Sequence, residues 1–482
     1  MGENKENRDR ISRRALLRTL AGSAALAELS SAASAQSAPP AGKAAPKPAE
    51  TPAKANQPPP ISPPVPPPVM ETISPQDDQF LDQIEKANFQ FFLEQADPDT
   101  GLVKDRAKVQ GADTSIVASI AATGFGLTAL AIGSQRGYID VKDAHQRVLK
   151  ALQFLGEKMP THRGFFFHFA NVKTGQREWD SEASSIDTAI LLCGIVTCRE
   201  YFQFKDVAKL AGNILDRVDW SWLSEDTTLL PLGWTPERGF LPSRWNDYSE
   251  LMMLYLLGMG AKTKPLNAAA WGAWKRTIFN YQGLQYIGSF APLFVHQYSQ
   301  AWFDFRQKSD KYADYFLNSI LATEAHRLFC IELGSQFPDY NDSLWGITAS
   351  DSKNGYVIWG GPPKIGPIDG TVVPCAAAGS LPFLPQATLR VLHTIKDRFG
   401  KQAWTRYGFV DAFNPLSNWY DTDVIGIDTG ITMLMAENLR TGFVWNTFMK
   451  SEEAQRGLQR AGFQSSNISY VAEQTKLEAR SQ

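Results

Sequence analysis

The sequence lacks an excess of positive charge and is poor in the residue types that bind metals. Its 482 residues include 48 Lys and Arg against 50 Asp and Glu, so no basic field attracts a phosphate backbone and nucleic acid is not an expected partner. The six histidines and four cysteines do not recur at ligand spacing, so we expect neither a metal nor a cofactor. No stretch reaches the roughly 20 apolar residues of a membrane span. A nucleophile elbow and a P-loop are also missing.

Aromatic residues are abundant by contrast, with 13 Trp, 14 Tyr and 28 Phe. A chain of this length can bury a large core and still line a cleft with rings, which suit the faces of sugars. The alternative is that most of these rings only fill the core. We expect a globular monomer whose partner is an oligo- or polysaccharide.

The first 73 residues have the composition of a targeting signal and a linker rather than of a folded domain. Arg13 and Arg14 precede a weakly apolar stretch, and Ala33-Ser34-Ala35 offers a cleavage site. This order is typical of a twin-arginine export signal, and a basic N-terminus on a cytoplasmic protein is the alternative. We predict a periplasmic or secreted protein with an export signal at 1–35, a Pro/Ala-rich disordered linker at 36–73, a catalytic domain at 74–450 and a polar C-terminal tail at 451–482.

Apolar and amphipathic helical stretches alternate after the linker. The stretch 115–133 carries no charge, whereas 80–94 and 141–158 each have one polar face. An inner ring of apolar helices inside an outer ring of amphipathic ones buries both kinds of face, so we predict an all-α (α/α)6 toroid. Further helices are predicted at 207–218, 271–278, 313–328 and 381–399.

Acidic residues stand at or near the start of uncharged helical stretches. A helix without a charged face must be surrounded by other helices. The acidic residue at the start of each such helix then lies at the open end of the barrel that these helices share. We therefore expect the chemistry at one end of the helical barrel. The catalytic candidates are Glu250, Glu182, Asp187 and Asp428.

Several longer motifs resemble one known family. The strings are ATGFGLTAL from Ala122, GFFFHF from Gly164, HQYSQAWFDFR from His296, WGITASD from Trp345, DGTVVPCAAAGSLPF from Asp369, YGFVDAFN from Tyr407 and IGIDTG from Ile425. Together they resemble the glucoamylase-like family, which contains the endo-β-1,2-glucanases of glycoside hydrolase family 144. The resemblance implies an (α/α)6 toroid that hydrolyses β-1,2-glucan with inversion.

Inverting hydrolysis needs a carboxylic acid for the leaving oxygen and a carboxylate for the water, about 6.5 to 9.5 Å apart. Glu250 follows Arg244, Trp245 and Tyr248, and an acid among rings can be desolvated enough to keep its proton. We predict Glu250 to be the general acid, provided that desolvation exceeds the opposing effect of the helix N-terminus. The alternative is a glutamate that only caps its helix.

The base is predicted to be one of the three remaining candidates. Glu182 and Asp187 lie in a stretch that matches a functional position of the family, and together they could supply the base and a substrate clamp. Asp428 could be the base or a substrate ligand. In the alternative interpretation, Ser184 or Ser185 caps one helix and the acids only satisfy helix donors.

A mixture of polar and aromatic residues is predicted to bind the glucan. Such side chains grip hydroxyl groups and stack on pyranose rings, although His168, Trp345 and Trp359 could instead pack beneath the cleft. The predicted binding residues are His168, Trp245, Tyr248, His296, Gln297, Tyr298, Trp302, Asp304, Arg306, Trp345, Asp351, Trp359 and Asp423.

Two other functions stay open on the sequence alone. A polysaccharide lyase on a similar toroid would use a Tyr or His base and a positive cleft, and the grouped acids argue against it. A non-catalytic glycan-binding protein would lose one of the carboxylates. The linkage, endo or exo action, the identity of the base and a pairing of Cys330 with Cys375 are left undecided.

Overall fold

The computed structural model describes residues 73–111, 113–225 and 227–478. The predicted export signal and the linker up to residue 72 lie outside the described residues. None of the described helices combines the length and the apolar character needed to cross a membrane.

The described chain is mainly helical. Its α-helices are α1 (Pro75–Glu94), α2 (Ile120–Arg136), α3 (Val141–Glu157), α4 (Ser185–Phe202), α5 (Lys205–Asp216), α6 (Trp220–Ser224), α7 (Leu251–Gly260), α8 (Tyr298–Trp302), α9 (Tyr315–Glu332), α10 (Pro374–Ala378), α11 (Pro385–Thr394), α12 (Gly400–Ala403), α13 (Gly426–Thr441), α14 (Phe443–Phe448), α15 (Glu452–Ala461) and α16 (Tyr470–Glu478). Short 3-10 helices lie at Ala268–Gly272, Leu293–His296 and Leu333–Ser335, and a π-helical segment at Ile395–Phe399 follows α11.

Short strands connect the helices. They are β1 (Arg106–Lys108), β2 (Val117–Ser119), β3 (Thr161–His162), β4 (Phe165–Phe166), β5 (Phe169–Asn171), β6 (Ala183–Ser184), β7 (Gly233–Thr235), β8 (Gly239–Phe240), β9 (Thr277–Tyr281), β10 (Leu284–Gly288), β11 (Lys308–Ser309), β12 (Ala349–Ser350), β13 (Val357–Ile358), β14 (Trp404–Thr405), β15 (Gly408–Phe409), β16 (Phe413–Asn414), β17 (Trp419–Tyr420), β18 (Asp423–Ile425) and β19 (Gln464–Ser465). They pair antiparallel, for example β1 with β18, β2 with β5 and β9 with β10, and β6, β7 and β8 form a three-stranded sheet.

Helices α2, α4, α7, α8, α10 and α13 form an inner ring in chain order. Neighbours pack against each other, and α13 packs against α2, which closes the ring. The start of α8 meets α10 through Gln297, whose Nε2 donates to Ala376 O (2.9 Å). Helices α1, α3, α5, α9 and α11 pack outside the ring. The predicted (α/α)6 toroid is confirmed.

Helix α15 fills the outer position beside α7, although it lies in the segment expected to be a polar tail. The two backbones are so close that a Cβ on Gly457 would lie 2.3 Å from Leu256 O. An ion pair between Arg199 and Glu453 (2.6 Å) also ties α15 to α4. The C-terminal segment therefore helps to enclose the inner ring.

The helix predicted at 271–278 is wrong. A 3-10 turn ends at Gly272, and Thr277–Tyr281 forms the first strand of a hairpin. The hairpin turn places Gln282 and Gly283 in the left-handed region, with φ of 47° and 81°. The β-branched and aromatic residues of this segment suit a strand better than a helix.

The four cysteines are buried thiols. Burial raises the pKa of Cys193 and Cys198, and it raises the pKa of Cys330 to about 12. The sequence left a disulfide between Cys330 and Cys375 undecided, and the described structure does not contain this disulfide.

We predict that Gly194→Ala strongly destabilises the protein, because α2 and α4 cross with their backbones in contact. A Cβ on Gly194 would lie 2.1 Å from Gly124 O, so the helices must separate. Forced overpacking of this kind should lower the free energy of unfolding by about 2 kcal/mol or more. Gly212→Ala is the matched control, since a Cβ there meets no atom within 4 Å and should add up to about 1 kcal/mol. Chemical unfolding measures both, and equal stabilities for the two variants would contradict the packing described.

Candidate active site

One cavity, which we call the main cavity because predicted acids line it, opens at the end of the toroid where inner helices α4, α7 and α13 begin. Its volume is about 230 Å³. Strands β2, β6 and β18 lead directly into α2, α4 and α13, which brings residues distant in sequence to one mouth. Six of the predicted site residues line this cavity, namely His168, Asp187, Glu250, Tyr298, Asp351 and Asp423.

His168, Glu182 and Asp187 form one buried cluster at the cavity. The backbone N–H of His168 donates to Glu182 O (2.9 Å), which sets the two residues side by side. His168 Nδ1 lies 3.6 Å from Glu182 Oε1 and 3.6 Å from Asp187 Oδ2. Ser184 caps α4 by accepting from the Asp187 N–H (3.1 Å), and its hydroxyl donates to Asp187 Oδ2 (2.5 Å). The predicted cap is thus present, and Asp187 still faces the cavity.

Glu250 directly precedes α7, a helix whose ten residues are all buried. Its side chain lines the cavity although the residue is only 7% exposed. The Glu250 carboxyl group does not cap α7, because it accepts no hydrogen bond from the backbone N–H groups in the described first turn of that helix. Ser299 Oγ donates to Glu250 O (2.8 Å), and Trp245 Nε1 donates to Ser185 Oγ (2.9 Å). These contacts fix Glu250 relative to the start of α4, so that Glu250 and Asp187 face one cavity.

Asp428 lies in the first turn of α13 and is buried. The Tyr298 hydroxyl, which lines the main cavity, donates to Asp428 Oδ1 (3.3 Å). Asp428 and Asp411 line a second, smaller cavity of about 20 Å³. The structure therefore connects Asp428 to the main cavity through Tyr298.

Arg106 on β1 stands among several carboxylates at the opposite edge of the β1–β18 pair. Its Nη1 donates to Asp351 Oδ2 (2.5 Å) and its Nε to Asp105 Oδ2 (3.2 Å). The Asp351 N–H in turn donates to Asp411 Oδ2 (2.8 Å). Burial raises the pKa of Asp351 and raises that of Asp411 well above its usual range. Burial and the charge of Asp351 raise the pKa of Asp421, another lining residue, to about 8.

We predict that Asp421→Asn stabilises the protein more as the pH rises. The carboxyl group has a pKa of about 8 in the folded protein and 3.8 without its surroundings. Between these values the unfolded state ionises and the folded state does not, so the native aspartate lowers stability progressively from about pH 4 to about pH 8. With EDTA present, the Tm advantage of the variant should be larger near pH 8 than near pH 5. An advantage independent of pH would contradict the raised pKa.

Two groups of side chains are close enough to hold a cation, although we predicted no metal. Within each group the possible ligand atoms lie within 4.8 Å of one another. Imidazole with carboxylates suits a transition metal, and carboxylates alone suit Ca²⁺ or Mg²⁺. The groups are His168 with Glu182 and Asp187, and Asp351 with Asp411 and Asp421.

Several predicted binding residues lie in the core instead of at the cavity. Gln297 Nε2 donates to Ala376 O and to Ser380 Oγ (2.8 Å), so the amide joins inner helices. Trp302 is fully buried and its Nε1 donates to Thr128 Oγ1 (3.0 Å). Polar groups inside the inner ring form hydrogen bonds with one another. In the sequence, Gln and Trp residues with this role look the same as residues that line a cleft.

Aromatic packing accounts for two further predicted residues. The rings of Tyr248 and His296 are 5.0 Å apart and both residues are buried. Desolvation and the charge of His326 lower the pKa of His296 to about 3, so this imidazole is neutral. Trp245, whose Nε1 donates to Ser185 Oγ, does not belong to the lining of the main cavity. The binding role of these residues stays a prediction.

The other four predicted residues also do not belong to the lining of the main cavity. Arg306 pairs with Asp304 (2.8 Å) and stacks on Trp445 (4.1 Å), beside the end of α13 that is distant from Asp428. Trp345 and Trp359 are buried and do not belong to the lining of the main cavity. Their binding role likewise stays a prediction.

Most of the lining residues were not predicted as site residues, among them Asp105, Arg106, Phe169, Trp179 and Tyr356. Arg106 reaches the site only because β1 pairs with β18, far away in sequence. Trp179 could have been found, since it stands among four acids in EWDSEASSID.

The cavity therefore offers carboxyl groups in contrasting surroundings. Glu250 directly precedes an apolar helix, whereas Asp187 is supported by a serine hydroxyl near an imidazole. Such a pair can protonate a leaving oxygen and activate water.

Comparisons with known proteins show what this chain is similar to. The family model described as "Putative glucoamylase" matches residues 242–452. An exo-β-1,2-glucooligosaccharide sophorohydrolase (non-reducing end) of Parabacteroides distasonis is 29% identical over 423 residues, covering 80% of this chain. The chain spans 58% of the length of that curated relative.

Solved structures give the same result. The endo-β-1,2-glucanase of Chitinophaga pinensis, in complex with sophorotriose and glucose, is similar with a TM-score of 0.76 and 28% identity, over 82% of this chain and 99% of that one. The β-1,2-glucanase of Parabacteroides distasonis is similar with a TM-score of 0.76 and 28% identity, over 80% of this chain and 60% of that one. The resemblance to the glucoamylase-like family is confirmed.

Proposed function

We propose that this chain hydrolyses β-1,2-glucan, on the premise that its fold and motifs are those of the glucoamylase-like family. The proposal is supported by two relatives that act on β-1,2-glucans and align with most of the chain. The observation that carries it is the shared cavity of Glu250 and Asp187, held at the starts of neighbouring inner helices.

In this proposal Glu250 donates the proton to the leaving glycosidic oxygen. Asp187 accepts a proton from the water that attacks the anomeric carbon, and the configuration inverts. The Ser184 hydroxyl, which donates to Asp187 Oδ2, holds this carboxyl group in place at the start of α4. Of the three candidate bases, Asp187 is the one that lines the main cavity.

Hydrolysis can be tested with a panel of linear β-1,2-, β-1,3-, β-1,4- and β-1,6-glucans. We expect new reducing ends from the β-1,2-linked polymer, with less release from the others. With a uronate polymer added to the panel, a lyase would give an unsaturated product that absorbs in the ultraviolet, and a glycan-binding protein would release nothing from any polymer. Either outcome would overturn the proposed function.

Endo and exo action give different product patterns in the same assay. The relatives include one enzyme of each kind, at nearly equal identity. A ladder of oligosaccharides at early times indicates internal cleavage, whereas sophorose alone indicates cleavage from one end. Chromatography of early products therefore assigns the mode of action.

We also propose that the protein works outside the cytoplasmic membrane after twin-arginine export. The support is the order of Arg13, Arg14, an apolar stretch and Ala33-Ser34-Ala35. Replacing both arginines with lysine should leave the precursor inside the cell, as measured by fractionation. Export of that double variant at the native level would refute this assignment.

A further inference from the structure

Trp179 is an exposed aromatic residue at the rim of the main cavity. It is 46% exposed and belongs to the cavity lining. Among the exposed large hydrophobic residues of the described chain, it alone lines this cavity. An indole in water beside a cavity offers apolar area that a ligand can cover.

The backbone at this position is held in an unfavourable conformation. Trp179 has φ of 55° and the next residue, Asp180, has φ of 48°. Residues other than glycine avoid this left-handed region, and a bulky Trp there is unusual. Such a conformation persists only where the surroundings impose it, and it is concentrated at functional sites.

Arg177 imposes this conformation by holding the chain beyond the turn. Its Nη2 donates to Asp180 O (2.5 Å) and its Nε to Ser181 O (2.5 Å). The same guanidinium pairs with Glu237 (2.6 Å) on a different part of the chain. Ser181 Oγ also donates to Phe169 O (3.1 Å). The loop is therefore rigid although the indole that it carries is exposed.

A row of rings leads from the rim to the carboxyl groups. The Trp179 ring meets Phe169 edge to face, with centroids 4.8 Å apart at 61°. Phe169 stacks on His168 (3.9 Å, 15°), and His168 Nδ1 is 3.6 Å from both Glu182 Oε1 and Asp187 Oδ2. A ligand on the indole therefore has its next unit directed toward the proposed catalytic groups.

We propose that Trp179 is a platform on which one neutral pyranose ring of the glucan stacks as the chain enters the cavity. The identity of the sugar rests on the proposed function, whereas the platform rests on the geometry. Pyranose C–H faces are apolar and match an indole face. The lining contains several carboxyl groups and a single guanidinium, that of Arg106, so it lacks the excess of positive charge that a uronate polymer would need.

The test compares Trp179→Ala and Trp179→Phe with the control Phe290→Ala. Phe290 is 56% exposed and does not line the cavity. Linear β-1,2-linked gluco-oligosaccharides are titrated by calorimetry into each variant in a Glu250→Gln background. Trp179→Ala should raise Kd roughly tenfold, because the stacking contact between the indole and the sugar is lost. Trp179→Phe should retain most of the affinity, and Phe290→Ala should retain all of it. In the active protein, KM should rise in Trp179→Ala more than kcat falls.

The outcomes separate the platform from the proposed function. Unchanged Kd in Trp179→Ala, or a loss that follows a lowered Tm in both Trp179 variants, would overturn the platform while hydrolysis by the native protein stands. Trp179-dependent binding without cleavage would keep the platform and end the hydrolase proposal. Absence of oligosaccharide binding to the Glu250→Gln protein would overturn the platform as well.

Discussion

Glu250→Gln is expected to lower turnover on β-1,2-glucan by about 10²-fold or more, because general acid catalysis typically contributes about 10²–10⁴-fold. The glutamine keeps the shape of the side chain but cannot deliver a proton to the leaving oxygen. Substrate binding should change little. An activated aryl glucoside, whose leaving group needs less protonation, should lose much less rate if it is accepted. Steady-state kinetics on both substrates measure the contrast.

Glu157→Gln is the matched control for this change, because Glu157 is exposed at the end of outer helix α3. It should leave both rates at the native level. Equal losses on both substrates for Glu250→Gln would move the acid role to another carboxyl group. Near-normal turnover on the glucan would end the case for Glu250 altogether.

Asp187→Asn is expected to slow both substrates alike by about 10²-fold or more, since water must be activated whatever the leaving group. The reason for choosing Asp187 is its place in the lining of the main cavity, whereas Asp428 reaches that cavity through Tyr298. Asp187→Ala also leaves room for azide, which needs no base. Azide should restore cleavage of the activated glucoside and give the α-glucosyl azide, with the C1–N bond formed as the glycosidic C1–O bond breaks.

The same azide assay on Glu182→Ala and Asp428→Ala tests the alternatives. Rescue of one of these variants, with none in Asp187→Ala, would assign the base to that residue. Asp143→Ala serves as the control, because Asp143 is exposed in the first turn of α3. A β-glucosyl azide would contradict single-step inversion.

Inner helices α2, α4, α7 and α13 could be predicted from the sequence because each depends on composition alone, whereas the five-residue helices α8 and α10 were not predicted. A stretch without charge, such as α2 or α7, can be stable only when other helices surround it. The same reasoning located Asp187, Glu250 and Asp428 at the starts of inner helices, where the structure has them. Local rules were sufficient because each involves one helix and its first turn.

The composition of the cavity wall could not be predicted in the same way. Arg106 and Asp423 line one cavity because β1 pairs with β18, and three-residue strands leave little pattern in the sequence. Polar residues such as Gln297 were assigned to the cleft. The sequence does not show whether the hydrogen-bond partner of such a side chain is a hydroxyl group of a sugar or a buried backbone carbonyl. In the structure, the partner of Gln297 is Ala376 O.

The docking of helix α15 also could not be predicted from the sequence. Helix α15 is polar on most of its surface, with buried residues only at Ala454, Gly457 and Leu458. Its contact with α7 depends on glycine at 457 and 260, where backbones touch without side chains between them. The buried residues follow the i, i+3, i+4 spacing of a docked helix, but two of the three are small, so the apolar stripe is narrow and weak in the sequence.

The most direct test of the account is the anomeric form of the first product. The purified protein is mixed with linear β-1,2-glucan, and ¹H NMR follows the new reducing ends before mutarotation equilibrates them. Hydrolysis by Glu250 and Asp187 with one inversion predicts that α-anomeric ends appear first and that Glu250→Gln abolishes their early accumulation. Early β-anomeric ends, or no new ends from this polymer, would contradict it.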